Sequence, residues 1–515
     1  MNKIAQFLHD GGPRLSSDIT ALLRQEGKSP EAARQIVSRL PKDVRVLHGL
    51  PFPKRARFLY LDSQFATEHY WDALTTAIDK SNPAYSAAIA GVRSRGRCVP
   101  FKDFDIVAGS PVKQKGQLSA ITVLERLCSV GLLSRSEIDG VNECVLLGRE
   151  PADVALLARM RARLLTENVL LDAIRTWAGK MNLASPGATR IRDDIPAPQF
   201  ATCRFDLCGP CYLRSVARFS GEKKLMPGFL VADVIVGAEL DKPAVSAFLR
   251  KCTLLGHLRK ASPFVPMLIA DGFTAEALRA SRSSGVITTT PETLFGQDVA
   301  RALGDLLQTL SNAAAHAAAN PQRIEELFRR LSGIEGSAGN LRGALFELIV
   351  GHMVRSIEGG SIDIGALVRS PKTGQRAEID VRLVKERELA IYECKGYQPT
   401  SLVAAEEVED WLTKRIPAID SAHRAEERFS DSTFLYEFWT CGTFGPDALR
   451  LLENARAATK KYRIEWKDGT GVMEYAKNVK APGIRKILND HYFKHPLADV
   501  PQLVPPVVDE LPRSA

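Results

Sequence analysis

Residues 377–396 read AEIDVRLVKERELAIYECKG, two short apolar runs around the charged tetrapeptide KERE, and each run carries an acid. Short alternating runs on either side of a polar turn predict a β-hairpin. With the turn centred between Glu386 and Arg387, position i faces position 773 − i, so Asp380 stands opposite Glu393. Facing side chains in an antiparallel pair have Cβ atoms roughly 4.5–5.5 Å apart, where like charges destabilise. Such a pair is either open to water or neutralised by a cation. Lys395, two residues beyond Glu393, shares its face. The competing reading pairs Lys395 with its own facing partner, Glu378, on a solvated edge; Val384, Leu389 and Ile391 on that face argue for burial.

Upstream, LRGALFELIVGHMVRS (341–356) has helical spacing and places Glu347 between Gly343 and Gly351, bare positions one turn below and above it. Such a face lets a helix sit close on a sheet and a carboxylate reach inward. Carboxylates with room for water suit Mg²⁺, which binds through one or two of them plus waters and substrate phosphate. A neighbouring lysine can orient or deprotonate the attacking water.

Glu347 in its RGALFE helix, Asp380 after an apolar residue, and Glu393-Cys394-Lys395 closing a strand together resemble the active-site pattern of the restriction-endonuclease-like, or PD-(D/E)xK, nuclease superfamily, over roughly residues 340–445. The resemblance implies an α/β core with a mixed sheet and Mg²⁺, or Mn²⁺ as a substitute, held by Glu347, Asp380 and Glu393. It implies Lys395 as the fourth catalytic residue and hydrolysis of phosphodiester bonds. Ile379 stands where that pattern often has proline.

Residues 151–310 alternate helix and strand: RARLLTENVLLDAIRTWAGKM, FLVADVIVG, AVSAFLRKCTLLGHL, FVPMLIADG, TAEALRASRSSG and VITTT. This order predicts a sheet flanked by helices. FLVADVIVG resembles IYECKG, with Asp233 at the position of Glu393 and Ile235 where Lys395 stands. The stretch is similar to a nuclease-like domain that has lost its lysine and serves as scaffold, dimer contact or DNA clamp.

The first 65 residues predict a winged-helix-like module. SSDITALLRQEG, opening on two serines as cap candidates, and SPEAARQIVSRL, opening on Ser-Pro, predict two helices about a Gly-containing turn, followed by strands around a loop holding Lys54, Arg55 and Arg57. Residues 66–150 predict further such or helical modules, with a basic turn at Arg93, Arg95 and Arg97. Phosphate contacts position a duplex without reading it, so these six cations are candidate DNA-binding residues. Modules of this kind also bind protein or merely pack.

With 45% hydrophobic and 25% charged residues over 515, the chain has the composition of a multidomain globular protein. Its net charge of +9 favours a polyanion, and residues 1–150 alone hold 21 Lys and Arg against 16 Asp and Glu. Nine scattered cysteines fit reduced thiols, and no apolar run has the length of a signal peptide or membrane span, so a cytoplasmic protein without a membrane is expected. Cys208-Gly-Pro-Cys211, near Cys203, reads as a turn with packed thiols, with a redox pair and a zinc site as the other readings. No Walker-type phosphate loop is found.

The expected fold class is therefore multidomain α/β plus mainly α. Winged-helix-like modules (1–65 and 66–150) precede a degenerate nuclease-like α/β domain (151–310), a helix and linker (311–339), a PD-(D/E)xK domain with a mixed central sheet flanked by helices (340–495) and a loose Pro-rich tail (496–515). The expected activity is that of a metal-dependent DNA endonuclease of bacterial restriction or anti-phage defence, acting as a homodimer or with a partner protein. The alternatives are a DNA- or protein-binding regulator on a non-catalytic nuclease-like fold, and a repair or recombination nuclease.

Overall fold

The computed structural model describes residues 2–138, 142–148, 153–185, 187–220, 224–311, 338–479 and 482–493. The chain is mixed α/β, and its described residues fall into two compact units, the second from Leu341 onward. Among the described residues no helix is long and apolar enough to cross a membrane.

The first unit opens with α1 (Lys3–Gly11), β1 (Arg14–Leu15), α2 (Ser16–Gln25), α3 (Pro30–Ser38), β2 (Val44–Val46) and β3 (Phe58–Leu61), the strands lying in the order β1-β3-β2. Ser29 caps α3, its Oγ accepting the Ala32 N–H at 3.2 Å, and Pro30 occupies the first turn, where no N–H is needed. Ile4, Leu8, Ile19, Leu23, Val37 and Leu59 form the core of this module.

After α4 (Glu68–Ser81) the same order returns: α5 (Pro83–Ser94), β4 (Cys98–Pro100), α6 (Phe104–Val107), α7 (Ala120–Ser129), β5 (Leu133–Ile138) and β6 (Asn142–Leu147), with strand order β4-β6-β5. The two modules thus share one topology.

The long α8 (Val154–Lys180) then leads into a five-stranded sheet of β7 (Arg190–Ile191), β8 (Leu207–Cys211), β9 (Gly228–Leu240), β10 (Phe264–Phe273) and β11 (Ile287–Thr289), in that spatial order. The first three strands are antiparallel and the last two run parallel to β9. Helices α9 (Lys242–Gly256) and α10 (Ala275–Ser283) make the crossovers, and α11 (Gln297–Ser311) follows.

The second unit repeats this plan. Helix α12 (Ala338–Glu358) precedes β12 (Ser361–Arg369), β13 (Arg376–Val384), β14 (Glu388–Lys395), β15 (Thr433–Thr440) and β16 (Arg463–Lys467), again in sequential spatial order. The first three are antiparallel and the last two parallel to β14. The crossovers are α13 (Ala405–Asp410) with α14 (Ile416–Arg424), and α15 (Pro446–Ala458). Trp411, Phe438, Ile391 and Leu452 lie in the core of this sheet and its crossover helices.

Three local expectations are corrected. The short apolar run VMEYA (472–476) by itself predicts a strand after YRIEW; it belongs instead to α16 (Gly469–Ala476), where Asp468 caps the first turn and Val472 and Ala476 bury one helical face, because a short apolar run does not distinguish strand from helix. Cys208-Gly-Pro-Cys211 is β8 and not a turn, because neighbours on both sides pair with it. Arg95 is 3% exposed and faces inward, so it is removed from the DNA-contact set. Residues 312–337 and the tail from Pro496 lie outside the described residues.

Candidate active site

The hairpin has the register read from its sequence. Val384 pairs with Leu389 and Val381 with Tyr392, and Lys385 N–H donates to the Glu388 carbonyl at 2.9 Å, so KERE is the turn. One step beyond the last ladder pair stand Asp380 and Glu393. There the Cys394 N–H donates to Asp380 Oδ2 at 2.7 Å, the side chain taking a hydrogen bond that backbone supplies elsewhere in the sheet. Lys395 Nζ lies 2.9 Å from Glu393 Oε1, which settles its pairing away from Glu378.

Helix α12 is held against the end of β14. A Cβ on Gly396 would lie 2.6 Å from the Arg342 carbonyl, and one on Gly351 would lie 3.0 Å from Ile364 Cδ1, so both positions need the missing side chain for this approach. Arg342 donates to the Tyr397 carbonyl at 2.9 Å and stacks on Tyr492 at 4.7 Å. Glu347, half-buried, is thereby brought near Asp380, Glu378 and Glu393. At Gly343 nothing lies within 4 Å of an added Cβ, so the space one turn before Glu347 is open.

One contributor is absent from the sequence reading. The Arg415 guanidinium bonds Glu393 Oε1, approaches Asp380 Oδ1 at 3.4 Å and donates to the Glu378 carbonyl at 2.7 Å. It belongs to a π-helical turn, Trp411–Arg415, between α13 and α14. Pro417 follows two residues later; a proline inside a helical run withholds an N–H and crowds the preceding turn, which favours such a turn. That proline was the available signal.

The electrostatics show too little positive charge for the acids present. Burial first and then Glu393 push Asp380 up to about 7, against the opposing pull of Arg415. Burial, followed by Asp380, Glu378 and Glu393, holds Glu347 well above the usual carboxylate range. Burial alone would lower Lys395, but the Glu393 carboxylate outweighs it and keeps the ammonium above the usual lysine value. Among the described residues no three His, Cys, Asp or Glu side chains are already arranged as a metal site. The donor chemistry nonetheless fits a hard divalent cation: Asp380 and Glu393 side by side on neighbouring strands, Glu347 within electrostatic reach of both, and the charge deficit such an ion would relieve.

The basic candidates differ in placement. Lys54 and Arg55 are exposed at positive φ (54° and 60°) in the loop between β2 and β3. Arg57 is half-buried and donates to the Val37 carbonyl at 2.7 Å, tying that loop to the end of α3. Arg93 and Arg97 are exposed near the end of α5. Cys203, Cys208 and Cys211 are buried free thiols, and burial pushes Cys208 up to about 12, which disfavours a reactive thiolate.

No family model matches the chain, and no curated protein matches it.

Proposed function

We propose that this chain is a Mg²⁺-dependent DNA endonuclease of the PD-(D/E)xK type, acting in a cytoplasmic restriction or anti-phage defence system. The observation that carries the reading is the meeting of Asp380, Glu393 and Lys395 on the neighbouring strands β13 and β14, with Glu347 of α12 within electrostatic reach of the two acids. A bound Mg²⁺ would polarise a phosphoryl oxygen and lower the pKa of a water at neutral pH. Asp380, Glu393 and Glu347 are the residues that would hold it. Lys395, kept charged by Glu393, does not serve as the base; it donates a hydrogen bond that orients the attacking water and faces the charge developing on the phosphate.

Arg415 balances the two acids in the metal-free chain and stands at the mouth, 23% exposed, where a backbone phosphate would arrive. The two modules of the first unit are read as winged-helix-like. Lys54 and Arg55 in the loop, with Lys28, Arg34 and Arg39 exposed on and around α3, form a sequence-independent phosphate grip.

The presence of Arg415 on Glu393 also supports a second reading, in which the second unit is a non-catalytic scaffold. Plasmid nicking separates the two. The endonuclease cuts with Mg²⁺, and Lys395→Ala and Asp380→Ala each lose about 10²–10³-fold or more, the scale of removing one transition-state donor. Equal cutting by all three proteins, or none with any divalent ion, rejects the enzyme.

A further inference from the structure

The sheet of the first unit and the sheet of the second have the same strand order and the same strand directions, and each follows a long helix. The correspondence extends to single atoms. In the second unit the last ladder pair before the acids is Val381–Tyr392, and in the first it is Leu207–Ala232. One step beyond come Asp380 and Glu393 in the one, Asp206 and Asp233 in the other. Cys394 N–H donates to Asp380 Oδ2 at 2.7 Å; Val234 N–H donates to Asp206 Oδ2 at 2.9 Å. Each preceding helix carries one glutamate in electrostatic reach of the first acid of its sheet, Glu347 of Asp380 and Glu167 of Asp206.

What surrounds the second set of acids is different. Arg163, one helical turn before Glu167, donates to both of its oxygens at 3.0 and 2.9 Å, where the second unit has Gly343 and open space. Arg192 bridges Glu167 Oε2 at 2.7 Å and Asp206 Oδ1 at 2.8 Å. Arg95, from the end of α5, reaches Asp206 Oδ2 at 2.9 Å and the Val234 carbonyl at 3.2 Å. Lys251 of α9 lies on Asp233 Oδ2 at 2.5 Å and also donates to the Ile106 and Arg204 carbonyls, each at 2.9 Å. Four fixed cations thus sit on three carboxylates, and Ile235 stands where a lysine would face solvent. Three of these contacts, the two of Arg95 and the one to the Ile106 carbonyl, involve the module that precedes the sheet.

We propose that the acid set Glu167–Asp206–Asp233 is a second copy of the metal position in which built-in arginines and a lysine have replaced the metal, converting it into an ion-pair lock that fastens the 83–147 module to the sheet. From the proposed function it borrows only the identity of the metal position in the second unit. A buried carboxylate without a partner is costly, and one ringed by guanidinium donors has neither the space nor the negative potential to attract Mg²⁺.

Two measurements on the full chain test the two halves. Mn²⁺ titration of Asp380→Asn/Glu393→Gln, which leaves the first unit untouched, shows no saturable binding; saturable binding that survives in this variant overturns the converted-site assignment. If the wild type itself binds no Mn²⁺, it is the proposed function that fails, and the lock is judged by hydrogen exchange. Arg95→Lys keeps a charge but loses the fork between Asp206 and the Val234 carbonyl. Amides of residues 83–107 then exchange about tenfold faster than in wild type, while in Arg93→Met, two residues away and exposed, they exchange at the wild-type rate. Equal exchange in Arg95→Lys and Arg93→Met overturns the lock.

Discussion

Two sheets of one topology carry acids at the same place and treat them in opposite ways. Around Glu167 and Asp206 the protein supplies more fixed positive charge than the carboxylates need, and although burial opposes it, the neighbouring arginines hold both below the usual carboxylate range. Asp233 is raised by burial, with Lys251 opposing. Around Asp380 and Glu347 the supply is short, and burial and mutual repulsion push both up. A site completed by its own side chains is finished on folding; a site left short of charge is ready for an ion from outside. The difference lies less in the acids than in what stands one helical turn or one crossover away.

The largest effect that would break this comparison is on stability. Glu167→Gln removes the carboxylate shared by Arg163, Arg192 and Arg95, and breaking a buried network of this kind costs about 3–5 kcal/mol. Glu347→Gln, at the corresponding position, leaves the metal-free chain as stable or more so. Chemical denaturation of both variants measures the contrast, and equal losses would erase it.

Acid titration reads the same contrast with opposite signs. Asp380 has its folded pKa raised, so the native chain holds a proton that the unfolded chain has released. Metal-free stability of the second unit is then full below about 4 and falls as pH rises toward about 7, by up to about 1.4 kcal/mol per pH unit. Glu167 and Asp206 have lowered pKa values, so their contribution is full above about 4 and is lost as pH falls below it. Hydrogen exchange resolved by unit between about pH 3 and about pH 8 shows the two slopes, and Asp380→Asn flattens the first.

A smaller effect comes from transplanting the difference. Gly343→Arg puts beside Glu347 the side chain that Arg163 puts beside Glu167, and the space for it is open. Mn²⁺ affinity of the full chain drops about tenfold, equal to about 1.4 kcal/mol, with the circular dichroism unchanged. The smallest change expected is from Arg415→Ala, which removes the cation already resting on Glu393. Mn²⁺ then binds severalfold more tightly by calorimetry, and weaker binding would mean that Arg415 holds the site together instead of occupying it.

Much of the second unit was legible. Period-2 alternation around a polar turn leaves one register that keeps the apolar residues on the buried faces, and the ladder from Val384–Leu389 to Val381–Tyr392 follows it. The short apolar runs 229–237 and 264–272, bounded by helical patterns, read as buried strands and became β9 and β10. Arg415 escaped notice because its position depends on a π-turn in a helix that is otherwise regular. Arg95 was misplaced because a basic residue at a helix end looks the same whether it faces water or a buried acid. Glu167, Asp206 and Lys251 carried no local mark at all.

The sequence alone therefore determined which residues share a face: the hairpin, its facing acids, the lysine beside them, and the order of helices and strands. These follow from periodicity and turn chemistry, which act between near neighbours. Tertiary structure decided which acids are neutralised and by what. Arg95 meets Asp206 and Arg415 meets Glu393 across long stretches of chain, and only when water is excluded there does each carboxylate need a cation enough to fix where it comes from.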